Sequence, residues 1–324
     1  MSDTHDKTDE RTAHAPSNRS CPACDGHGKT LGHKNGFEML LCCRCRSLYT
    51  AEIPQTDPAA DYDGIYTTAD TTVIPDFIHN RAREIVSSLS HYRHSNCLLD
   101  LGFGSAVFMQ AAAAEGWNVS GTEVSRSAVE NARRLGFQDV FHGDLAKAKY
   151  PTGHFDVVTA SEVLEHIADV KLLLTEVVRI LRPGGLFWAS TPHGHGLSFR
   201  LLQLQWSVVY PPFHWQLFSV SGARTLLKTA GFQRIHLATH GFNPYEVLYV
   251  RRLRGHPPYA VPTTGCSPPA DTTVKLHYSD RVNTSRQLNE ALMRTSVRRA
   301  CKQMLNSILS ASKLGDRLKI HAVR

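Results

Sequence analysis

The chain has 324 residues, of which 42% are hydrophobic and 20% charged, enough for one large core with smaller appendages. Its net charge of +7 arises at the C-terminal end: residues 250–324 hold 14 Lys and Arg against 4 Asp and Glu, and the remainder holds 22 against 25. This asymmetry argues against a uniformly basic nucleic-acid-binding protein. No apolar stretch reaches the roughly 18 residues of a membrane span, and residues 1–20 lack a signal peptide's apolar segment, so we expect a cytoplasmic protein.

Residues 1–20 are polar and predict a disordered leader, and residues 21–50 predict a small zinc-binding module. Five of the eight cysteines lie between positions 21 and 45. Four of them have the spacing C-x2-C-x17-C-x2-C, which is typical of zinc held by four thiolates: Cys21, Cys24, Cys42 and Cys45. Because four protein ligands leave no open coordination position, we expect the zinc to be structural.

Residues 51–75 are rich in Pro and Asp and predict a linker. From residue 76 onward, short apolar segments alternate with helical segments that end at glycine, as at Gly116 and Gly136. A strand over residues 155–161 is followed by a helix predicted to run through Arg182. This alternation predicts an α/β fold with a parallel sheet covered by helices on both faces.

The first strand of this region ends in a glycine loop, "DLGFGSAVF", with Asp100, Gly102 and Gly104. The dinucleotide fingerprint G-x-G-x-x-G requires a sixth-position glycine, but Val107 stands there, so a nicotinamide or flavin nucleotide is disfavoured. Glu123 ends the second strand, where a carboxylate accepts hydrogen bonds from ribose hydroxyls. After the third strand, Asp144 can accept a hydrogen bond from an adenine amino group.

These motifs, together with "LRPGGLFWASTP", resemble the class I S-adenosylmethionine-dependent methyltransferases over residues 76 to about 250. The resemblance implies a Rossmann-like, seven-stranded, mostly parallel sheet in a domain spanning residues 76–254. It also implies S-adenosylmethionine as cofactor and a set of residues that bind it: Asp100, Gly102, Gly104, Glu123, Asp144 and Ser161. One departure is Ala106, where the family's loop D-x-G-x-G-x-G usually has glycine.

In that family the last strand is antiparallel and forms a hairpin with the strand before it. "RIHLATH" and "LKIHAVR" are the segments expected to pair, with the final strand in residues 313–324. Between them, residues 255–312 predict a basic helical insertion at the substrate mouth or at a contact between subunits. Its basic positions Arg294, Arg298 and Lys302 are compatible with peripheral contact with anionic lipid headgroups, with a diphosphate-linked acceptor, with RNA, or with a simple solvated face.

Methyl transfer is a displacement at an activated sulfonium, so the protein mainly aligns the reactants and excludes water. A base is needed only when the acceptor atom carries a proton, and His214 in "YPPFHWQ" is our candidate for it. "SEVLEH" resembles the ubiquinone-biosynthesis O-methyltransferases, in which this stretch binds a divalent ion. By that resemblance Glu162, Glu165 and His166, on one helical face, would hold a magnesium-like ion; the alternative is that they hydrogen-bond neighbouring loops.

Three hypotheses follow. The first is an S-adenosylmethionine-dependent methyltransferase that acts on a hydroxyl of a small molecule or saccharide, as the resemblance of residues 190–232 to bacterial small-molecule and glycan methyltransferases also implies. The second is an RNA methyltransferase that docks through the zinc module and the basic tail. The third is a non-catalytic zinc-bearing binding protein whose cofactor pocket is narrowed by Ala106. The sequence specifies neither the acceptor nor the oligomeric state.

Overall fold

The structure is a computed structural model that describes residues 19–53, 74–252 and 296–324. The strands form two sheets. The smaller sheet is antiparallel and contains β1 (Gly28–Lys34), β2 (Phe37–Cys42), β3 (Leu48–Thr50) and β9 (Gln216–Leu217). The larger sheet contains β4 (Cys97–Leu101), β5 (Asn118–Glu123), β6 (Val140–His142), β7 (Phe155–Ser161), β8 (Leu181–Pro192), β10 (Arg234–His240) and β11 (Arg317–Val323).

The α-helices of the described residues are α1 (Asp76–Ser88), α2 (Val107–Ala114), α3 (Arg126–Arg134), α4 (Leu145–Ala148), α5 (Val170–Ile180), α6 (Leu197–Leu202), α7 (Val220–Ala230), α8 (Pro244–Arg252) and α9 (Ser296–Ala311). Short 3₁₀ turns occur at Ser90–Tyr92, Leu164–His166 and Gln203–Gln205. In the described part of the chain, none of these helices combines the length and the apolarity needed to cross a bilayer.

The larger sheet has the strand order β10-β11-β8-β7-β4-β5-β6. The strands β8, β7, β4, β5 and β6 pair in parallel, and β11 pairs antiparallel with both β8 and β10. This confirms the predicted seven-stranded, mostly parallel sheet and its C-terminal hairpin. The chain order reverses direction across the sheet at β4, so the crevice at the carboxyl ends of β4, β5 and β7 is where such sheets bind ligands.

Helices cover both faces of this sheet because its central strands are apolar on both sides. On one face Leu99, Phe187 and Ile320 belong to a buried cluster with α5 and α7. On the other, Leu98 and Trp188 pack in a second cluster with α1 and α2. Such double burial produces nearly continuous apolar strands, the pattern that the sequence shows.

The amino-terminal edge of the sheet is held by a buried carboxylate. Asp156 is fully buried and accepts hydrogen bonds from the backbone of His94 (2.8 Å) and Asn96 (2.7 Å) and from Nε of Arg182 (2.6 Å). Burial alone would raise the pKa of Asp156, but these bonds outweigh it and lower the pKa to about 2. The network stabilises the end of the sheet opposite to the ligand crevice.

The region after β7 differs from the prediction. A continuous helix through Arg182 was expected, but the chain forms the 3₁₀ turn Leu164–His166, and α5 begins only at Val170 and ends at Ile180. Two local features explain this. Glu162 adopts a left-handed backbone with φ of 57°, and Asp169 caps α5 by accepting from the backbone N–H of Leu172 at 2.9 Å.

Several predicted segments fall outside the described residues. They are residues 1–18 of the leader, residues 54–73 of the linker and residues 253–295 of the insertion, including Arg294. The side chains of Arg298 and Lys302 are also outside the description. The domain boundaries, and the predicted roles of the insertion, therefore stay predictions.

Candidate functional site

The glycine loop after β4 lies against the segment after β7. Gly102 and Gly104 have φ of 61° and 49°, a backbone region that glycine adopts without strain. A Cβ added at Gly102 would lie 2.8 Å from Cγ2 of Val163, so only glycine permits this close approach. The backbone N–H of Gly102 also donates to Thr122 at 2.8 Å, which ties the loop to β5.

Glu123 stands at the carboxyl end of β5 with its carboxylate turned into the glycine loop. One oxygen accepts from the backbone N–H groups of Val124 (2.7 Å) and Ser125 (3.0 Å), and the other from Gly104 (2.9 Å). The side chain is 7% exposed. A carboxylate has about four acceptor positions, so one is left. Accepting both hydroxyls of a ribose therefore requires one loop N–H to be released.

Asp100 is buried at the end of β4, beside this loop. Its Oδ1 accepts from the hydroxyl of Thr159 on β7 at 2.7 Å. Burial, assisted by the nearby Glu123, raises the pKa of Asp100 to about 7. This carboxyl group therefore links β4 to β7 at the crevice, and the hydrogen bond from Thr159 fixes its position.

The methyl group of Ala106 does not narrow the crevice. Ala106 is fully buried in a cluster with Phe103, Met109 and Val129, on the α3 side of the loop. Phe103 is accommodated there because Gly121 has no side chain: a Cβ at that position would lie 2.5 Å from the Phe103 ring. The departure at Ala106 is thus absorbed by the core, although its φ of 58° is one that alanine rarely adopts.

The remaining predicted cofactor residues lie at the same carboxyl edge. Asp144 follows β6 with its side chain 62% exposed and pairs with Lys147 at 3.0 Å. Ser161 ends β7, and its hydroxyl lies 3.2 Å from that of Ser190 on β8. The sheet thus brings all six predicted cofactor residues to one edge.

Two histidines and a buried carboxyl group meet beyond β7. The rings of His166 and His214 lie edge to face with centroids 4.8 Å apart. Ligand atoms of Glu165, His166 and His214 all lie within 4.8 Å of one another. Glu165 is 1% exposed and accepts from the hydroxyl of Thr191 at 2.9 Å, while its other oxygen has no hydrogen-bond partner among the described residues. Burial, with the nearby Glu162, raises the pKa of Glu165 well above its usual range.

Hydrogen bonds to the backbone fix the tautomers of these two histidines. Nδ1 of His166 lies 2.8 Å from the carbonyl of Phe213, and Nδ1 of His214 lies 2.7 Å from the carbonyl of Val208. Because a carbonyl only accepts, the proton of each neutral ring is on Nδ1 and the lone pair is on Nε2. Burial lowers the pKa of His166 to about 4 and lowers that of His214. Both imidazoles are therefore neutral bases at physiological pH.

Glu162 does not join this group, contrary to the predicted set on one helical face. No α-helix contains it, and its left-handed backbone turns it toward β8 and β11. Its Oε1 accepts from the hydroxyl of Ser190 at 2.8 Å, and its Oε2 lies 3.4 Å from Arg317. His214, and not Glu162, is the third member of this group. Sequence spacing could not indicate this, because His214 lies 48 positions after His166.

The four predicted zinc ligands converge as expected. The sulfur of Cys21 lies 3.6 Å from that of Cys45, and the sulfur of Cys24 lies 3.5 Å from that of Cys42. All four sulfurs are buried and lie within 4.8 Å of one another. Thiolates around tetrahedral zinc are about 3.8 Å apart, whereas a disulfide requires about 2 Å. These separations fit zinc.

The two Cys-x2-Cys turns have the same backbone design. Asp25 and Arg46, the residues after the second cysteine of each pair, have φ of 56° and 64°. Their N–H groups donate to the carbonyls of Cys21 (2.9 Å) and Cys42 (3.1 Å). Such repeated turns hold the paired sulfurs toward a common point. Cys43 is exposed and takes no part.

The four-cysteine module, residues 21–50, is built into the larger domain, an arrangement that the sequence did not indicate. Strand β3 of the module pairs with β9, and the carbonyl of Cys45 accepts from Ser221 at the start of α7 at 2.8 Å. The backbone of Trp215 accepts from Thr50 of the module at 2.9 Å and donates to Glu165 at 2.9 Å. The module therefore holds the segment that carries His214. Arg19, predicted to be in the leader, joins the same interface through Thr50 (2.8 Å).

Residues 76–237, which are 162 of the 324 residues, match the family described as "Methyltransferase domain". The larger sheet and its helices form a Rossmann-like fold. The chain belongs to the methyltransferase-domain family.

Relatives and solved structures carry related names. A "Probable S-adenosylmethionine-dependent methyltransferase" of Mycolicibacterium smegmatis is 32% identical over 156 residues, covering 47% of this chain and 58% of the relative. A "Ubiquinone biosynthesis O-methyltransferase" of Thiobacillus denitrificans is 33% identical over 112 residues, covering 32% and 47%. The chain thus spans about half the length of the curated relatives it matches. A solved methyltransferase from Archaeoglobus fulgidus is 14% identical with a TM-score of 0.48, covering 83% of this chain and all of the other.

Proposed function

We propose that the protein transfers a methyl group from S-adenosylmethionine to a hydroxyl of a small molecule or saccharide. The observation that carries this proposal is the juxtaposition, at one edge of the sheet, of the Glu123–glycine loop and two neutral histidines. Val163 links the two parts, because it contacts the glycine loop and directly precedes the turn that carries His166.

In this proposal Glu123 accepts one ribose hydroxyl at its remaining position and the second once a loop N–H is released, and Asp144 accepts from the adenine amino group. The backbone of Gly102 and Gly104 lies against the amino-acid arm, and Ser161 lies at the end of the strand beside it. S-adenosylmethionine supplies an electrophilic methyl on a positively charged sulfur. This set of residues contains no lysine that could bind a phosphate, which suits a cofactor without phosphate.

The acceptor hydroxyl must lose its proton as its oxygen attacks the methyl carbon. His214 takes that proton on Nε2, because its Nδ1 is engaged with the carbonyl of Val208. Bound S-adenosylmethionine would supply the methyl group and leave as a neutral thioether, and the protonated imidazole of His214 would return its proton to water. His166 stands beside His214 as the second base of the pair.

A divalent ion at Glu165, His166 and His214 is an alternative use of the same atoms. Two nitrogens and one carboxylate oxygen suit manganese, iron or zinc better than magnesium, which prefers oxygen ligands. The expected role of magnesium with Glu162 thus loses its geometric basis, since Glu162 bonds Ser190 and Arg317 instead. Metal analysis and activity with and without EDTA separate this alternative from proton transfer by His214.

The experiment that tests the proposal has two stages. Calorimetry with S-adenosylmethionine and the full chain measures cofactor binding, with Asp144→Asn as a variant of the adenine contact. Transfer of a labelled methyl group to fractionated small molecules, saccharides and RNA then identifies the acceptor. Label in RNA alone, with affinity that falls steeply with salt, would support the RNA hypothesis instead. Absence of cofactor binding would support the non-catalytic one.

A further inference from the structure

A polar row on one face of the larger sheet runs away from the cofactor crevice toward β10. Strand register places Ser161 opposite Ser190, Ser190 opposite Lys319, and Arg317 opposite His240. Residues paired in this way share a face of the sheet. The row therefore joins the end of β7, at the edge where we place the cofactor, to the basic start of β11.

Three cations gather at the far end of this row, and we call Arg81, Arg317 and Lys319 the cationic cluster. Arg81 comes from α1, which packs on this face, and its Nη2 lies 2.8 Å from Nε2 of His240. Burial, together with Arg81 and Arg317, lowers the pKa of Lys319. Among the described residues, the carboxylates that act on the cluster are Glu84 on α1 and Glu162. Within that part of the chain, three positive charges thus stand against two negative ones.

The cluster also holds donors without acceptors. Among residues 19–53, 74–252 and 296–324, the half-buried ammonium of Lys319 has neither a hydrogen-bond nor an ion-pair partner. Arg81 donates to Nε2 of His240, so the proton of that ring is on Nδ1. This Nδ1 is buried and likewise has no partner in the described part of the chain. An anion would offer several acceptor positions to these two donors, the buried Nδ1 of His240 and the half-buried ammonium of Lys319.

We propose that the cationic cluster binds an anionic group, a carboxylate or a phosphate, carried by the methyl acceptor. This inference rests on the proposed function and narrows it to acidic acceptors. Glu162 lies within electrostatic reach of both His214 and Arg81, and its Oε2 lies 3.4 Å from Arg317 of the cluster. An acceptor with its hydroxyl at His214 and its anionic group at Lys319 would span the floor of the crevice.

The first test measures anion binding without an acceptor. Inorganic phosphate and acetate are titrated into the full-length protein at constant ionic strength, with binding followed by calorimetry. We expect Lys319→Gln and Arg81→Gln to weaken binding of the preferred anion by about tenfold to a hundredfold. The matched control is Arg83→Gln, on the same helix, because Arg83 is exposed and bonds Asn80. Equal binding by all variants, or no binding of either anion, would overturn the inference.

The second test uses turnover. Labelled methyl transfer is compared among hydroxyl compounds that are neutral, carboxylated or phosphorylated, and the preferred class distinguishes the two sources of negative charge. Lys319→Gln should raise KM for the anionic acceptor and leave S-adenosylmethionine affinity unchanged. Faster turnover of neutral acceptors would refute the inference while upholding the methyltransferase. Failure of the wild type to bind S-adenosylmethionine would refute the proposed function. The anion titration would still show, independently, whether the cationic cluster binds an anion.

Discussion

Replacement of Glu123 by glutamine tests both the cofactor site and the loop that forms it. The wild-type carboxylate accepts three backbone N–H groups, from Gly104, Val124 and Ser125. A glutamine keeps one oxygen, which can still serve Val124 and Ser125, but it turns an NH2 group toward the N–H of Gly104. One buried donor then loses its acceptor, which costs about 1–3 kcal/mol of unfolding free energy.

The same substitution removes a charged acceptor from the ribose. Hydrogen bonds to charged groups contribute about 1.5–3 kcal/mol each. We therefore expect the affinity of Glu123→Gln for S-adenosylmethionine to fall roughly tenfold to a hundredfold. The larger Glu123→Ala change should weaken binding by at least as much, because it removes both oxygens.

The assay combines urea unfolding, with and without S-adenosylmethionine, and calorimetric titration of the folded variants. Asp144→Asn is the matched control, since Asp144 is largely exposed and contacts only Lys147 within the described residues. It should lower cofactor affinity without loss of stability. Glu123→Gln with wild-type affinity would refute the assignment of the ribose contact. Wild-type stability would refute the inferred role of the carboxylate in holding the loop.

Five further outcomes are expected. Cys21→Ser should contain less zinc than wild type, as measured by mass spectrometry, and should unfold at a lower temperature. It should also have a lower kcat, because the segment that carries His214 is displaced. The control Cys43→Ser should retain full metal content, and equal zinc in both variants would contradict the tetrathiolate. His214→Gln should lower kcat roughly 100-fold or more. Burial lowers the pKa of His214 from its usual value of 6.5, and the base must be neutral to accept a proton. Wild-type kcat should therefore fall only when the pH drops below 6.5. A loss of kcat that begins above pH 6.5 would argue against His214 as the base. Asp156→Asn should reduce the unfolding free energy by about 3 kcal/mol, because Arg182 loses its carboxylate, with cofactor affinity unchanged; a stability equal to wild type in urea would contradict the network. Ala106→Gly should leave cofactor affinity unchanged, and a large gain in calorimetry would mean that the methyl group does narrow the pocket.

The four-cysteine module shows how much the spacing of residues alone can predict. Its four ligands could be predicted because paired cysteines must lie in short turns to reach one ion, and both turns are local structures. The docking of β3 on β9 could not be predicted. Residues Leu48 and Leu217 meet across 169 positions of sequence, and β9 is only two residues long.

The candidate acceptor site shows what local sequence patterns could not predict. His166 and Glu165 drew attention by their local pattern, but the helix expected there did not form, because Glu162 takes a left-handed backbone and Asp169 begins α5 later. Their partnership with His214 depends on a segment held from one side by Thr50 and on the other by Glu165. No periodicity in the sequence encodes such a contact.

The sequence by itself determined the alternation of strands and helices, the glycine loop, the acidic ends of β5 and β6 and the four thiolates. Each of these follows from local chemistry: side-chain period, backbone freedom and short ligand spacing. Only the tertiary structure decided that His214 joins His166, that Glu162 turns to Arg317, and that Arg81 bonds His240. These contacts depend on the order in which strands lie in the sheet, and burial of apolar faces over the whole chain selects that order.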